Sequence, residues 1–194
     1  MSVPHDPAVL PGGLPVPTDD GACDHLPGRR VPALQLPSTG GVLRDPHAES
    51  RGRWTVLFCY PRTGRPGEAP PGGEAAWNAT PGARGCTPQC VSYAGLREAF
   101  GALGAVVYGV STQSTDEQLE AARRLELPYE LLSDGRLELT EALGLPTFTA
   151  AGLTLLRRHT LVLKDGFVNS VRYPVFPSDG DAEAVLSWLR ARTA

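Results

Sequence analysis

The segment GCTPQCVSYAGLREAFGALGAVVYGVS, residues 85–111, predicts a helix that leads directly into a buried strand. Thr87 is a good N-cap, and Pro88 fits the first helical position, where a missing N–H costs little. Gly104 suits the left-handed residue just past a helix end. The run AVVYGVS, residues 105–111, is apolar enough for a strand buried on both faces. Apolar residues recur at the spacing of a buried helix face, at Leu96, Ala99, Phe100 and Leu103.

A second buried strand precedes this unit. The run WTVLFCY, residues 54–60, is apolar and aromatic and stops at Pro61. Residues 62–85 then separate the strand from the helix, and they are too rich in Gly and Pro to predict a regular element. Because a loop of that length in a compact domain is usually functional, the pattern points to a site where this loop meets the helix.

The second half of the chain continues the alternation of strands and helices. Ser114 and Glu117 form a capping-box pattern, which predicts a helix that must end before Pro128. A brief strand at residues 129–134 and a helix at residues 137–143 follow. This short strand and helix form an insert within the longer alternation of strands and helices.

The chain ends with a hairpin and a helix. Residues 159–173 predict two strands joined at Asp165-Gly166, a strong turn signal. A strand–helix–strand unit followed by a hairpin and a helix is the order of the thioredoxin-like fold, an α/β fold with a central mixed sheet flanked by helices. We expect an irregular arm at residues 1–32 and one domain at residues 33–194, with the long insert before the helix of the site. One face of the last helix carries Ala182, Val185, Leu186 and Leu189.

Composition excludes several classes of function. The formal charge is −3 and the pI is about 5.8, so we expect neither a nucleic-acid partner nor a membrane surface. The start, MSVPHDPAVLPGG, lacks the basic and apolar regions of a secretory signal. We therefore expect a cytoplasmic protein, in whose reducing surroundings paired cysteines are more often catalytic or metal-binding than permanently crosslinked.

Cys86 and Cys90 lie four positions apart at the predicted helix start. With Thr87 as N-cap, Cys86 would lie just outside the helix, where free amide N–H groups converge and stabilise a thiolate. Residues four apart in a regular helix have Cβ atoms about 5–6 Å apart, whereas a disulfide needs about 3.5–4.5 Å. The two thiols can therefore bond only where the first turn is absent or distorted, as in a reversible redox couple.

Other interpretations of the pair remain open from the residues alone. Two cysteines at a helix start can simply be small buried residues. A thioredoxin-type couple expects C-x-x-C, which is one residue shorter than the spacing here. A zinc site needs four ligands, and paired spacing is absent from the remaining candidates, Cys23, Cys59, His25 and His159.

Several segments together resemble one known family. They are FCYP (58–61), PGARGCTPQC (81–90), VVYGVSTQSTDEQLEAARRLELPYELLSD (106–134) and RHTLVLKDG (158–166). The combination resembles the peroxiredoxins, specifically the bacterioferritin-comigratory-protein subgroup, over roughly residues 26–190. The resemblance implies a thiol-dependent peroxidase that reduces hydrogen peroxide or organic hydroperoxides, needs no cofactor or metal, and is re-reduced by a thioredoxin-like dithiol protein.

The resemblance also implies roles for individual residues. Cys86 matches the peroxidatic cysteine, which becomes a sulfenic acid, and Cys90 matches the resolving cysteine, although in the subgroup it lies five positions after the first. Arg158 matches the Arg-x-Thr arginine that holds the thiolate and the departing oxygen. The insert interrupts the family's Pro-x-x-x-Thr-x-x-Cys motif, so the hydroxyl beside the thiolate is Thr63 or Thr80, and we favour Thr63.

The remaining candidates receive structural roles. We expect Cys59 in the core, His159 in a structural position, and Trp77 over the mouth of the site. Cys23 is the fallback resolving thiol if Cys90 does not reach. We expect a monomer or weak homodimer, and the alternative functions are a thiol–disulfide oxidoreductase and a non-catalytic redox-sensing module.

Overall fold

A computed structural model describes residues 6–193 of the chain. The strands are β1 (Leu36–Pro37), β2 (Leu43–Arg44), β3 (Trp54–Cys59), β4 (Ala105–Ser111), β5 (Leu131–Ser133), β6 (Thr147–Ala150), β7 (Leu153–Leu156), β8 (His159–Lys164) and β9 (Phe167–Arg172). The helices are α1 (Pro46–Glu49), α2 (Glu74–Ala79), α3 (Cys86–Gly95), α4 (Arg97–Ala102), α5 (Thr115–Arg124), α6 (Glu138–Leu143) and α7 (Asp181–Thr193). Within the described residues, every helix is too short or too polar to cross a membrane.

The central sheet has five strands in the order β5-β4-β3-β8-β9. Strands β3, β4, β5 and β9 run in one direction, whereas β8 runs in the opposite direction. Cys59 at the end of β3 pairs with His159 at the start of β8. This mixed sheet with flanking helices confirms the predicted thioredoxin-like α/β fold, and it brings the ends of β3 and β4 to the same edge as the start of β8.

The two faces of the sheet carry separate apolar clusters, because successive residues of a strand point to opposite faces. Phe58 and Tyr60 pack on the face that also holds Cys86 and Cys90. Cys59 packs on the other face. The ring of Tyr93 on α3 stacks on Phe58 with centroids 4.3 Å apart, a geometry that contributes beyond the apolar area buried. The sheet therefore separates Cys59 from the two cysteines of α3.

The start of the helix differs from the prediction. Gly85, not Thr87, is the N-cap, with a left-handed backbone (φ 102°), so Cys86 is the first helical residue and Pro88 the third. The Gly85 carbonyl accepts the first helical hydrogen bond, and a Cβ at this position would lie 2.2 Å from Ser178 Oγ. Glycine is needed here for both conformation and space, which places Cys86 inside the helix.

Other predicted elements also require correction. The single predicted helix is two, α3 and α4, because the chain leaves helical geometry at Leu96 after Gly95, a poor helix former. The loop at residues 62–85 contains the short helix α2, and an unpredicted hairpin, β6–β7, packs beside it through the rings of Trp77 and Phe148. The capping box of Ser114 and Glu117 and the turn at Asp165-Gly166 are confirmed.

The amino-terminal arm packs on the domain. In the described part of the arm, residues 6–32 contain no helix or strand apart from one isolated bridge at Arg30. Cys23, Leu26 and Val31 are nonetheless buried on the sheet face opposite α3. Residues 1–5 lie outside the described residues, and the division of the chain at residue 32 stays a prediction.

Candidate active site

Cys86 lies at the edge of the sheet where the start of α3 meets the ends of the strands. The residue is 4% exposed, and three groups lie close to its sulfur. Arg158 Nη2 lies 3.1 Å from Cys86 Sγ, and the backbone N–H of Arg62 lies 3.4 Å from the same atom. The sulfur also contacts the Ala83 carbonyl at 3.6 Å. A guanidinium and an amide N–H aimed at one sulfur stabilise its anionic form.

Arg158 reaches the sulfur from the short link between β7 and β8. Its Nη2 also donates to the carbonyls of Gly82 (3.1 Å) and Arg84 (3.0 Å), and its Nη1 donates to Gln89 Oε1. The residue is only 3% exposed. Because both ends of the planar guanidinium are occupied, its orientation toward Cys86 is fixed.

Cys90 lies one turn further along α3 and is fully buried. Burial raises the pKa of the Cys90 thiol, and the neighbouring Cys86 raises it further. The hydroxyl of Tyr129 donates to the Cys90 carbonyl at 2.7 Å, which holds this turn in place. With both cysteines in one regular helix, the Cβ separation is about 5–6 Å, so a disulfide requires this turn to unwind.

The two candidate threonines lie in different surroundings. Thr63 is buried in the wall of the cavity that contains Cys86, and its hydroxyl donates to Gln113 Oε1 at 3.0 Å. Thr80 lies at the end of α2, where its hydroxyl donates to the Ala76 carbonyl. The structure therefore brings Thr63, and not Thr80, to the site, with its hydroxyl proton committed to Gln113.

A cavity of about 490 Å³ opens above Cys86. Part of its wall comes from the insert, where Trp77 is buried beside the cavity as the sequence predicts. The guanidinium of Arg62 pairs with Glu117, and both residues line the cavity. The cavity is large enough for a small peroxide and for part of an attached organic group.

The other cysteines do not share this environment. Cys23 and Cys59 lie in the apolar cluster on the opposite sheet face. Burial raises the pKa of Cys23 to about 12 and that of Cys59 well above the ordinary thiol value. Cys59 is in the core as expected. Cys23 and Cys86 lie on opposite faces of the sheet, so the packing does not support Cys23 as the fallback resolving thiol.

A larger depression, of about 1240 Å³, lies near the start of β4. Its lining is charged, but Arg44 is paired with Glu130 and Glu49, and Arg53 is paired with Glu49. Cysteine is absent from its described lining. Across residues 6–193, no group of three or more His, Cys, Asp or Glu side chains could hold a metal ion. Cys86, Thr63 and Gln113 instead all line the smaller cavity.

Sequence reasoning missed three buried polar residues at the site. Gln113 bonds to Thr63, Gln89 bonds to Arg158, and Asp181 at the start of α7 bonds to Gln89. A buried polar residue on a helix or in a loop leaves no periodic pattern. The spacing of Gln89 between two cysteines was the only available signal, and it does not specify a partner.

The chain is similar in sequence to a known protein family and to several curated proteins. The redoxin family model matches residues 26–186, a range that includes Cys86, Cys90 and Arg158. Chloroplastic peroxiredoxin Q of Sedum lineare is 32% identical over 142 residues, which cover 73% of this chain and 66% of that protein. The chain spans between 46% and 66% of the length of the curated relatives it matches.

The structure of the chain is also similar to solved structures of peroxiredoxins. The crystal structure of peroxidoxin BcpB from Mycobacterium tuberculosis superposes with a TM-score of 0.66 at 27% identity, covering 86% of this chain and 97% of that one. Peroxiredoxin Q of Xanthomonas campestris superposes with a TM-score of 0.64 at 25% identity, covering 97% of this chain and all (100%) of that one. The two superpositions thus cover 86% and 97% of this chain.

Proposed function

This chain belongs to the redoxin family, and from that premise we propose that it is a thiol-dependent peroxidase of the peroxiredoxin type. The observation that carries the proposal is the contact of 3.1 Å between Arg158 Nη2 and Cys86 Sγ at the floor of a cavity. A thiolate held by a guanidinium is the nucleophile such a reaction needs. The substrate is hydrogen peroxide or an organic hydroperoxide.

In the first step the Cys86 thiolate attacks one peroxide oxygen. An S–O bond forms, the O–O bond breaks, and the departing oxygen leaves as hydroxide or alkoxide and takes up a proton. The sulfur is oxidised to sulfenic acid, and the peroxide is reduced to water or an alcohol. Arg158 stabilises the negative charge before and during this transfer, as preorganised donors do. Thr63 and Gln113 form the adjacent polar wall of the cavity.

In the second step Cys90 resolves the sulfenic acid. The Cys90 sulfur attacks Cys86, an S–S bond forms, and the sulfenic oxygen leaves with two protons as water. Because both sulfurs belong to α3, this step requires the first turn of the helix to open. The raised pKa of buried Cys90 keeps it protonated until that opening exposes it to solvent.

A dithiol protein of the thioredoxin type would return the disulfide to two thiols by thiol–disulfide exchange. Only Pro88 in the first turn of α3 is partly exposed, so such a partner reaches the disulfide after the turn has opened. We place this reaction in a reducing, cytoplasmic setting, where paired cysteines are more often catalytic than permanently crosslinked. We propose that the protein acts there as a monomer or weak homodimer.

Anaerobic mixing of the reduced protein with one equivalent of hydrogen peroxide tests the function. A peroxidase consumes the peroxide within seconds and turns over again when thioredoxin, its reductase and NADPH are added. A thiol–disulfide oxidoreductase leaves the peroxide intact, and a sensor is oxidised but does not turn over. Either of the latter outcomes contradicts the proposal.

A further inference from the structure

Asp181, the first residue of α7, is a completely buried carboxylate that connects four elements. Its Oδ2 accepts hydrogen bonds from Gln89 Nε2 (3.0 Å) and Tyr93 OH (2.8 Å) on α3 and from Thr160 Oγ1 (2.6 Å) on β8. Its Oδ1 accepts from Arg172 Nε (3.0 Å) on β9. All four partners donate, as a carboxylate requires. A buried carboxylate is costly unless it is paired in this way.

Asp181 determines how the side-chain amide of Gln89 is oriented. A carboxylate only accepts hydrogen bonds and a guanidinium only donates them. The Nε2 of Gln89 must therefore face Asp181, and its Oε1 must face Arg158. The opposite orientation would place the amide oxygen against the Asp181 carboxylate and the amide NH₂ against the Arg158 guanidinium. Gln89 thus links Asp181 to Arg158 in one defined direction.

Arg158 depends on this link for its position. Its Nη2 serves Cys86 and two carbonyls, while Nη1 is held by Gln89 Oε1. Without the Gln89 acceptor, one end of the buried guanidinium would lose its partner and the plane would be free to rotate away from the sulfur. The chain of contacts therefore runs from Asp181 through Gln89 to Arg158 and Cys86.

The same link lies inside the segment that must open for the disulfide. Gln89 comes after Cys86 and directly before Cys90 on the first turns of α3. Unwinding this turn moves Gln89 away from both of its partners, so the contact with Asp181 must break before the two sulfurs meet.

From these contacts, and resting on the proposed peroxidase function, we propose that Asp181 is a positioning residue that acts through Gln89. It stabilises the intact first turn of α3, in which Arg158 contacts Cys86. It thereby opposes the unwinding that allows Cys90 to attack the sulfenic acid of Cys86. The start of α7 thereby sets the balance between reaction with peroxide and closure of the disulfide.

Asp181→Asn separates the two effects. The rate constant for oxidation of Cys86 by hydrogen peroxide should fall roughly 10- to 100-fold, the range associated with misplacement of a catalytic group by about an ångström. The rate constant for closure of the Cys86–Cys90 disulfide should rise. A purely structural role would lower both rate constants by the same factor.

Two further variants sharpen the test. Gln89→Glu keeps an oxygen for Arg158 but replaces the group that donates to Asp181, so oxidation should be nearer to wild type than in Asp181→Asn while closure is still faster. Asp179→Asn removes an exposed carboxylate near the same helix and should leave both rate constants unchanged. Rapid quenching with an alkylating agent, followed by mass spectrometry, measures both steps.

Amide hydrogen exchange of the reduced protein supplies a readout that needs no peroxide. In Asp181→Asn the first turn of α3 should exchange faster than in wild type, while the central strands exchange at the wild-type rate. If wild-type protein consumes peroxide but Asp181→Asn changes neither exchange nor either rate constant, the positioning role is wrong. If the wild type itself does not consume peroxide, the proposed function fails, and the exchange comparison still decides whether Asp181 holds the helix.

Discussion

Arg158 and Cys86 are separated by 72 positions in the chain, yet the guanidinium Nη2 lies 3.1 Å from the sulfur. The contact exists because β8 starts beside the end of β3, where α3 begins. Arg158→Leu removes the charge that holds the thiolate and the departing oxygen. We expect its rate constant with hydrogen peroxide to fall roughly 10²- to 10³-fold, as for loss of one preorganised donor. Stopped-flow peroxide consumption measures it.

The adjacent Arg157→Leu is the matched control. Arg157 pairs with Asp20 of the arm and with Tyr173, which follows β9, and the described contacts of its side chain do not include the sulfur. It should retain a rate constant close to that of wild type. Equal rate constants for the two variants would show that the guanidinium of Arg158 does not take part.

Cys86 should be the thiol that reacts first with iodoacetamide, because it lines the cavity while the other three thiols are buried away from it. Arg158 and the Arg62 amide face Cys86, whereas burial raises the pKa of Cys23, Cys59 and Cys90. Peptide mapping after brief labelling of the reduced protein identifies the site. Earlier labelling of any of the other three would contradict the assignment of the nucleophile.

Gly85→Ala should destabilise the protein by roughly 1–3 kcal/mol, the range for a non-glycine residue in a strained backbone region. The added Cβ would also approach Ser178 to 2.2 Å, and φ at this position is 102°. Gly95→Ala, on the same helix with nothing within 4 Å of the new Cβ, should be neutral or stabilising by up to about 1 kcal/mol. Urea denaturation of both variants tests this difference, and equal stabilities would contradict the N-cap role of Gly85.

His159 should make stability depend on pH. Burial lowers the pKa of His159 to about 4 from its ordinary 6.5, although a hydrogen bond to the Arg157 carbonyl opposes the shift. Between these values the unfolded chain binds a proton that the folded protein does not, so the free energy of unfolding rises with pH. The contribution is complete above about pH 6.5 and is lost as the pH falls to about 4, for a total of roughly 3 kcal/mol.

Urea denaturation at several pH values measures this dependence. His159→Asn keeps a donor for the Arg157 carbonyl but does not titrate, so its stability should fall less than that of wild type as the pH drops. His25→Asn, on the exposed surface of the arm, controls for the loss of a histidine. Parallel pH profiles for His159→Asn and wild type would contradict the role of the buried imidazole.

The two hairpins show why part of the fold was predictable and part was not. Asp165-Gly166 is a strong turn signal, and both residues have the positive φ (52° and 81°) that such turns require. The turn between β6 and β7 has the same conformation at Ala151 and Gly152 (49° and 78°), but alanine there carries no such signal. Helix α2 was missed for a related reason, since glycine and proline dominate its surroundings.

The sequence predicts those residues of the candidate site that belong to a recognisable motif. The resemblance identified Cys86 and Arg158, and the structure brings them into contact. Thr87-Pro88 has the residue pattern of a helix start, and the sequence therefore predicts the N-cap at Thr87. The observed cap is Gly85, whose close approach to Ser178, distant in sequence, leaves no such pattern. Gln89 and Asp181 meet only through packing of α3 on α7, which a single sequence does not reveal.

The most direct test of the central claim follows the sulfur of Cys86 after one equivalent of hydrogen peroxide. In wild-type protein, rapid quenching and peptide mapping should detect a transient sulfenic acid at Cys86, followed by a Cys86–Cys90 disulfide whose mass is lower by the two thiol hydrogens. In Cys90→Ser the sulfenic acid should persist and, with excess peroxide, advance to sulfinic acid. Oxidation that starts at another cysteine, or a Cys86 thiol that stays reduced while peroxide remains, would contradict the account.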